Sequence, residues 1–209
     1  MSLLSLLHLF GEIRQPRKDY LVIPEVSSEN RQYIPIGFLP RSVVPTNKLY
    51  TFSGASLYHF GILASAIHMG WIKSVAGRLK SDFQYSAGIV YNNFPWPRDP
   101  SETQVKTIEE AAQDVLDARA KFPNASLADL YDPIAMPREL RRAHEKLDHA
   151  ADAAYASPEP ARRSNRDFKS EAERVAFIFE LYQQYTSLLP VERSRRRTPH
   201  RTSRSVRSG

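Results

Sequence analysis

The chain of 209 residues has no cysteine. That excludes a disulfide framework and any thiolate metal centre. Glycine is sparse, with eight residues, and none builds a Gly-rich loop between a strand and a helix. The usual cradles for dinucleotides, phosphate groups and S-adenosylmethionine are therefore missing, as is a Gly-x-Ser-x-Gly nucleophile elbow. No hydrophobic run approaches the length of a membrane span. The apolar stretch at residues 3–10 lacks a basic flank and contains His8, so it reads as a strand or helix, or as the frayed start of a truncated domain. The expectation is a cytoplasmic protein with no membrane partner. The six histidines show no metal-ligand spacing. His144 and His149 fall on different helix faces, and His59 and His68 stand two and a half turns apart. Each is expected to be a buried or half-buried hydrogen-bonding residue, and no metal site is predicted.

What is present is an ordinary globular composition, 42% hydrophobic and 25% charged. The net charge of +6 is unevenly spread. Residues 1–98 carry ten Lys/Arg against five Asp/Glu, residues 99–190 twelve against seventeen, and residues 191–209 seven Arg against one Glu. A modestly basic front half thus meets an acidic back half, and a basic front suits a polyanion. The Ser/Arg-rich tail from 191 has too few apolar residues to fold and is expected to be disordered.

The front half predicts short strands. Tyr20-Leu-Val-Ile and Tyr33-Ile-Pro-Ile-Gly-Phe-Leu are β-branched and aromatic, with the turn residues Ser27-Ser-Glu-Asn between them. Ser42-Val-Val and Lys48-Leu-Tyr-Thr-Phe give a third extended segment broken by Pro45. Prolines 24, 35, 40 and 45 keep these strands short or at edges. Leu57, Phe60, Ala64, Ile67, Trp71 and Val75 then repeat at helical spacing and predict one long helix, capped by Ser53 or Ser56 and ended by Gly77. A second face of that helix carries Gly61, Ser65 and Gly70, small enough for another backbone to approach. Phe83 to Tyr91 reads as a strand.

The back half predicts helices. Ser101 with Gln104 is a capping box, opening a helix to about Lys121. Ser126 and Asp129 start a short turn. Pro137 opens a helix to about Tyr155. Ser170 with Glu173 is a second box, opening an apolar helix stopped by Pro190. The predicted fold class is α+β: a small mixed β-sheet domain with one long helix (1–98), an α-helical bundle (99–190) and the basic tail (191–209). The carboxylates of the rear helices are expected on their solvated faces.

Two stretches bear on chemistry. Tyr85-Ser-Ala-Gly-Ile-Val-Tyr-Asn-Asn-Phe-Pro-Trp-Pro has some look of the Asn-Pro-Pro-aromatic loop that holds a base amino group for methylation. The register does not match, because Phe94 stands at the first Pro position and Trp96 follows only one Pro. Asn93 is therefore not a catalytic residue, and the segment reads as an aromatic hinge between the halves. The second stretch is Gly77-Arg-Leu-Lys-Ser-Asp-Phe-Gln-Tyr-Ser. If extended, it places Arg78, Lys80 and Asp82 on one face. Lys can donate to guanine O6/N7 and Asp can accept from cytosine N4, so Lys80 and Asp82 could read one G·C pair. The competing reading is an exposed charged turn.

At these residues the chain resembles the MmeI-like class I DNA methyltransferases. The resemblance runs through Tyr20-Leu-Val-Ile-Pro-Glu-Val-Ser-Ser-Glu, Leu57-Tyr-His-Phe-Gly-Ile-Leu, Ile67-His-Met-Gly-Trp, the Gly77 segment and Val90-Tyr-Asn-Asn-Phe-Pro-Trp-Pro. It continues through Ser126-Leu-Ala-Asp-Leu-Tyr-Asp-Pro and Glu173-Arg-Val-Ala-Phe-Ile-Phe-Glu-Leu-Tyr. It implies a target recognition domain followed by a C-terminal helical domain, the last quarter of an adenine-methylating enzyme of restriction or phage-defence systems. It also implies that the Lys80-x-Asp82 pair reads sequence, with Gln84 where the family commonly has Arg. The parent cofactor, S-adenosylmethionine, would bind an upstream domain, so no cofactor is expected in this chain. The implied partners are double-stranded DNA and a methylating subunit in trans. Arg31, Lys48, Lys73 and Arg78 would contact phosphates. The alternative is a non-catalytic remnant or a protein-interaction module docking through the acidic helices.

Overall fold

The computed structural model describes residues 16–155 and 168–187. The apolar N-terminal stretch and the Arg-rich tail lie outside them. Strands β1 (Tyr20–Pro24), β2 (Val26–Ser27), β3 (Gly37–Leu39), β4 (Leu49–Ser53), β5 (Gly77–Leu79) and β6 (Asp82–Gln84) form two three-stranded sheets, ordered β3-β1-β4 and β2-β6-β5. Every pairing is antiparallel, so two antiparallel sheets stand where one mixed sheet was expected. The first strand run crosses from one sheet to the other through Glu25. Its N–H donates to the Lys48 carbonyl, and its carbonyl accepts from Tyr85 N–H. Tyr20, Leu21, Val22 and Ile23 are all buried, as suits a central strand covered on both faces. The segment around Val43 and Val44 forms no strand, and both valines are exposed.

The expected single helix is two helices, α1 (Leu57–Leu63) and α2 (Ala66–Val75). Ser65 breaks it. Its backbone is extended and its hydroxyl donates to the Ile62 carbonyl at 2.7 Å. The apolar spacing runs through the break because both pieces bury their faces in the same core, so periodicity does not reveal it. Ser56 caps α1 in a capping box with His59, whose Nδ1 accepts the Ser56 N–H. The strand expected up to Tyr91 stops at Gln84, and Ala87–Tyr91 forms a π-helical turn. The Asn93 amide holds that turn by donating to the Gly88 and Ile89 carbonyls at 2.8 and 3.0 Å.

The rear helices begin where their caps predict. They are α3 (Glu102–Ala120), α4 (Leu127–Leu130), α5 (Arg138–Ala154) and α6 (Glu171–Thr186). Capping boxes at Ser101/Gln104 and Ser126/Asp129 are complete. At α6, Ser170 Oγ accepts the Glu173 N–H, while the Glu173 carboxylate takes the Lys169 N–H. These helices do not form a separate bundle. Helix α3 packs on α5 and α1, and α6 packs on α2. One apolar core runs from Leu21 and Ile36 through Phe60 and Trp71 to Ile108, Leu147 and Ile178. The small residues of the front helices make this possible. A Cβ on Gly61 would lie 2.6 Å from Ile108 Cγ2, and one on Gly70 would lie 3.2 Å from Val175 Cγ2.

Two rear carboxylates are not on solvated faces. Asp148 and Asp152 are buried in the seam between the halves. Asp148 Oδ2 accepts from Tyr33 OH and its Oδ1 from Ala66 N–H, both at 2.6 Å. The Arg174 guanidinium forks onto both oxygens of Asp152, the closest contact at 2.7 Å. Beside them, buried Arg119 donates to the Ile36 carbonyl at 2.7 Å and to Tyr131 OH, which donates to His144 Nε2 at 2.6 Å. Such a network is strongest when its members are satisfied; here His144 Nδ1 is buried beside Ala64 without a hydrogen bond of normal geometry.

Candidate nucleic-acid interface

Strands β5 and β6 form a ribbon joined by two residues, Lys80 and Ser81. Leu79 pairs with Asp82, Arg78 with Phe83 and Gly77 with Gln84. Lys80 has φ 57, the left-handed value that a tight hairpin turn requires and that favours Gly or Asn. This corrects the alternation expected for residues 78–82, because the chain reverses inside the segment. Arg78 shares a ribbon face with Phe83, where its guanidinium lies 4.0 Å above the ring. Asp82 and Leu79 share the opposite face. Lys80 stands at the tip. Lys80 and Leu79 are exposed and Asp82 is half-buried. Neither Lys80 nor Asp82 has an ion pair among the described residues. The tip therefore offers one cationic donor and one anionic acceptor, both free. Phe83 is buried beneath and anchors the ribbon.

Three of the four residues expected at phosphates already hold a carboxylate. Lys48 Nζ lies 3.1 Å from Glu25, Lys73 Nζ 2.6 Å from Glu171, and Arg78 Nη1 3.8 Å from Glu29. Arg78 also donates to the Ser81 carbonyl at 3.1 Å, bracing the turn. Arg31 is half-buried in the loop after β2, with no ion pair among the described residues. Lys48, Arg78 and their partners lie on or beside the sheet that carries the hairpin. Lys73 is held to α6. Exposed pairs of this kind contribute little stability, so Lys48 and Arg78 remain open to a polyanion. Glu25 and Glu29 were not legible as partners, because nothing in their spacing ties them to residues 23 and 49 positions further along the chain.

The hinge segment is an aromatic joint. Trp96 packs against the rings of Tyr58, His59, Tyr91 and Phe94. Tyr155 OH donates to the Pro95 carbonyl and Tyr185 OH to the Trp96 carbonyl, so α5 and α6 both grip it. Phe94 lies against His68 and Trp71. Among the described residues no group of His, Asp and Glu is arranged to hold a metal, and no helix is long and apolar enough to cross a membrane.

Residues 2–98 match the MmeI target recognition domain and residues 100–190 the MmeI C-terminal domain. The chain belongs to the MmeI-like DNA methyltransferase family. It is 44% identical over 177 residues to DNA methyltransferase A of Bacillus subtilis (strain 168), a match covering 85% of this chain and 19% of that protein. It is also similar to the solved structure of the type IIL restriction-modification enzyme MmeI in complex with DNA. That match has 50% identity and a TM-score of 0.77, over 86% of this chain and 23% of the other. The chain thus spans about a fifth of the length of these MmeI-like proteins.

Proposed function

We propose that this chain is the DNA sequence-reading part of an adenine-specific, S-adenosylmethionine-dependent DNA methyltransferase of a restriction-modification system. Methyl transfer is carried by a catalytic domain that these residues do not include, in the same protein or in trans. The observation that supports this reading best is the β5–β6 hairpin. A two-stranded ribbon fits the major groove, and this one ends in Lys80 and Asp82, both without partners. Lys80 donates to guanine O6/N7 and Asp82 accepts from cytosine N4. Lys48, Arg78 and Arg31 hold the backbone in place without reading it.

The test is selection of preferred duplexes from a random pool at low salt, with the 209-residue chain. A preference at one G·C position is expected, and it should change when Lys80 and Asp82 are exchanged for Glu and Arg. Absence of duplex binding at low salt would remove the reading. Loss of all DNA affinity on deleting residues 191–209 would assign binding to the tail instead.

A further inference from the structure

We propose that α2 is a lever clamped by the rear helices, and that Asp148 and Lys73 are positioning residues that set the pose of the β5–β6 hairpin. The functional part of this inference rests on the hairpin being the DNA-reading element. Helix α2 has ten residues, about 15 Å of rigid rod. Only Ala76 separates its last residue, Val75, from Gly77 of β5. Any rotation of α2 is therefore passed to the base of the hairpin.

Four contacts with the rear half hold the rod. Its first turn lacks a cap of its own, since the Ser65 hydroxyl is turned back to Ile62. A carboxylate from α5 takes that place, with Asp148 accepting the Ala66 N–H while Tyr33 OH holds its other oxygen. An anion there also meets the positive end of the helix. Further along, Gly70 lets Val175 of α6 come close. In the last turn, Lys73 meets Glu171 in the first turn of α6 at 2.6 Å. Trp71, between these points, packs its ring on Phe179 and Tyr182 of α6. The acidic rear half thus acts on DNA reading through α2. Lys73 serves as a clamp and not as a phosphate contact.

The charge swap separates these roles. Binding of the 209-residue chain to its selected duplex and to a scrambled duplex is compared for Lys73→Glu, Glu171→Lys and the double variant. Each single change is expected to lower the preference up to about fivefold, as for an exposed ion pair, and the double variant to restore it. For Lys73→Met the salt dependence of binding is expected to stay unchanged. A slope lower by about one, as for a lost phosphate contact, would overturn the proposal, as would a double variant that fails to restore the preference. Asp148→Asn is expected to lower the preference while scrambled-duplex binding persists, and to speed amide hydrogen exchange at residues 77–84. Unchanged preference and exchange would also overturn it. If the chain bound no duplex, the DNA reading would fall, and exchange at 77–84 would still decide the clamp. Faster exchange in Lys73→Glu, reversed in the double variant, supports the clamp, and no change sinks it.

Discussion

The seam between the halves and the tip of the hairpin use charge in opposite ways. In the seam, Asp148, Asp152 and Arg119 are buried, and each is held by named partners at hydrogen-bond distance. At the tip, Lys80 and Asp82 sit within a few residues of each other with no ion pair. A buried charge must be satisfied or it destabilises the fold. A charge left free at the surface costs almost nothing and keeps its donors and acceptors for a partner. The difference separates residues that hold the fold from those open to recognition, although both sets are ordinary Asp, Lys and Arg in the sequence.

Acid should weaken the fold through its buried histidines. Burial pushes His68 down to about 4, and burial with the Arg119 charge pushes His144 down to about 3. Both protonate near 6.5 when unfolded. The unfolded chain then binds more protons, and stability falls as pH drops below 6.5. Asp148 works the other way. Burial raises its carboxyl to about 6 from 3.8, so its protonation stabilises the fold between pH 6 and about 4. Two imidazoles outweigh one carboxyl, and a net loss of a few kcal/mol between pH 7 and 4 is expected from denaturant titrations. Asp148→Asn should steepen that loss, and equal slopes would show that Asp148 does not titrate there.

Asp152→Ala leaves the Arg174 guanidinium without its fork and should cost about 3 kcal/mol in the same titrations. Trp96→Ala removes a half-buried ring from the hinge and should cost about 2 kcal/mol. Thermal melting would check it, and site preference in duplex binding should survive, since the ring contacts of Trp96 are with Tyr58, His59, Tyr91 and Phe94 and not with the hairpin. The smallest effect belongs to the tip. Lys80→Gly should stabilise the fold by about 0.5–1 kcal/mol, because glycine adopts a positive φ freely, while weakening sequence preference. A destabilised Lys80→Gly would mean that the lysine serves the fold, and the contrast between seam and tip would collapse.

Much of the layout was legible beforehand. The starts of α3, α4 and α6 followed from local pairs such as Ser101 with Gln104, because a cap is decided within one turn. The hinge role of Phe94 and Trp96 followed from the failed register of the Asn93 loop. The break at Ser65 was not legible, because the apolar spacing runs straight through it and the carboxylate that caps the second piece, Asp148, lies more than eighty residues away. The face assignment of Arg78, Lys80 and Asp82 failed because a two-residue reversal inside a charged stretch leaves no mark on alternation.

By itself the sequence determined the α+β class, the starts of the rear helices, the resemblance to a DNA-methylating family and the pair Lys80 and Asp82 as candidate readers. These are local patterns, and local physics suffices for them. Only the tertiary structure decided that the two halves share one core, that Asp148 caps α2, that Lys73 is held by α6 and that Lys80 sits alone on a turn. Each of those depends on which distant groups burial brings together, and spacing along a chain carries no record of that.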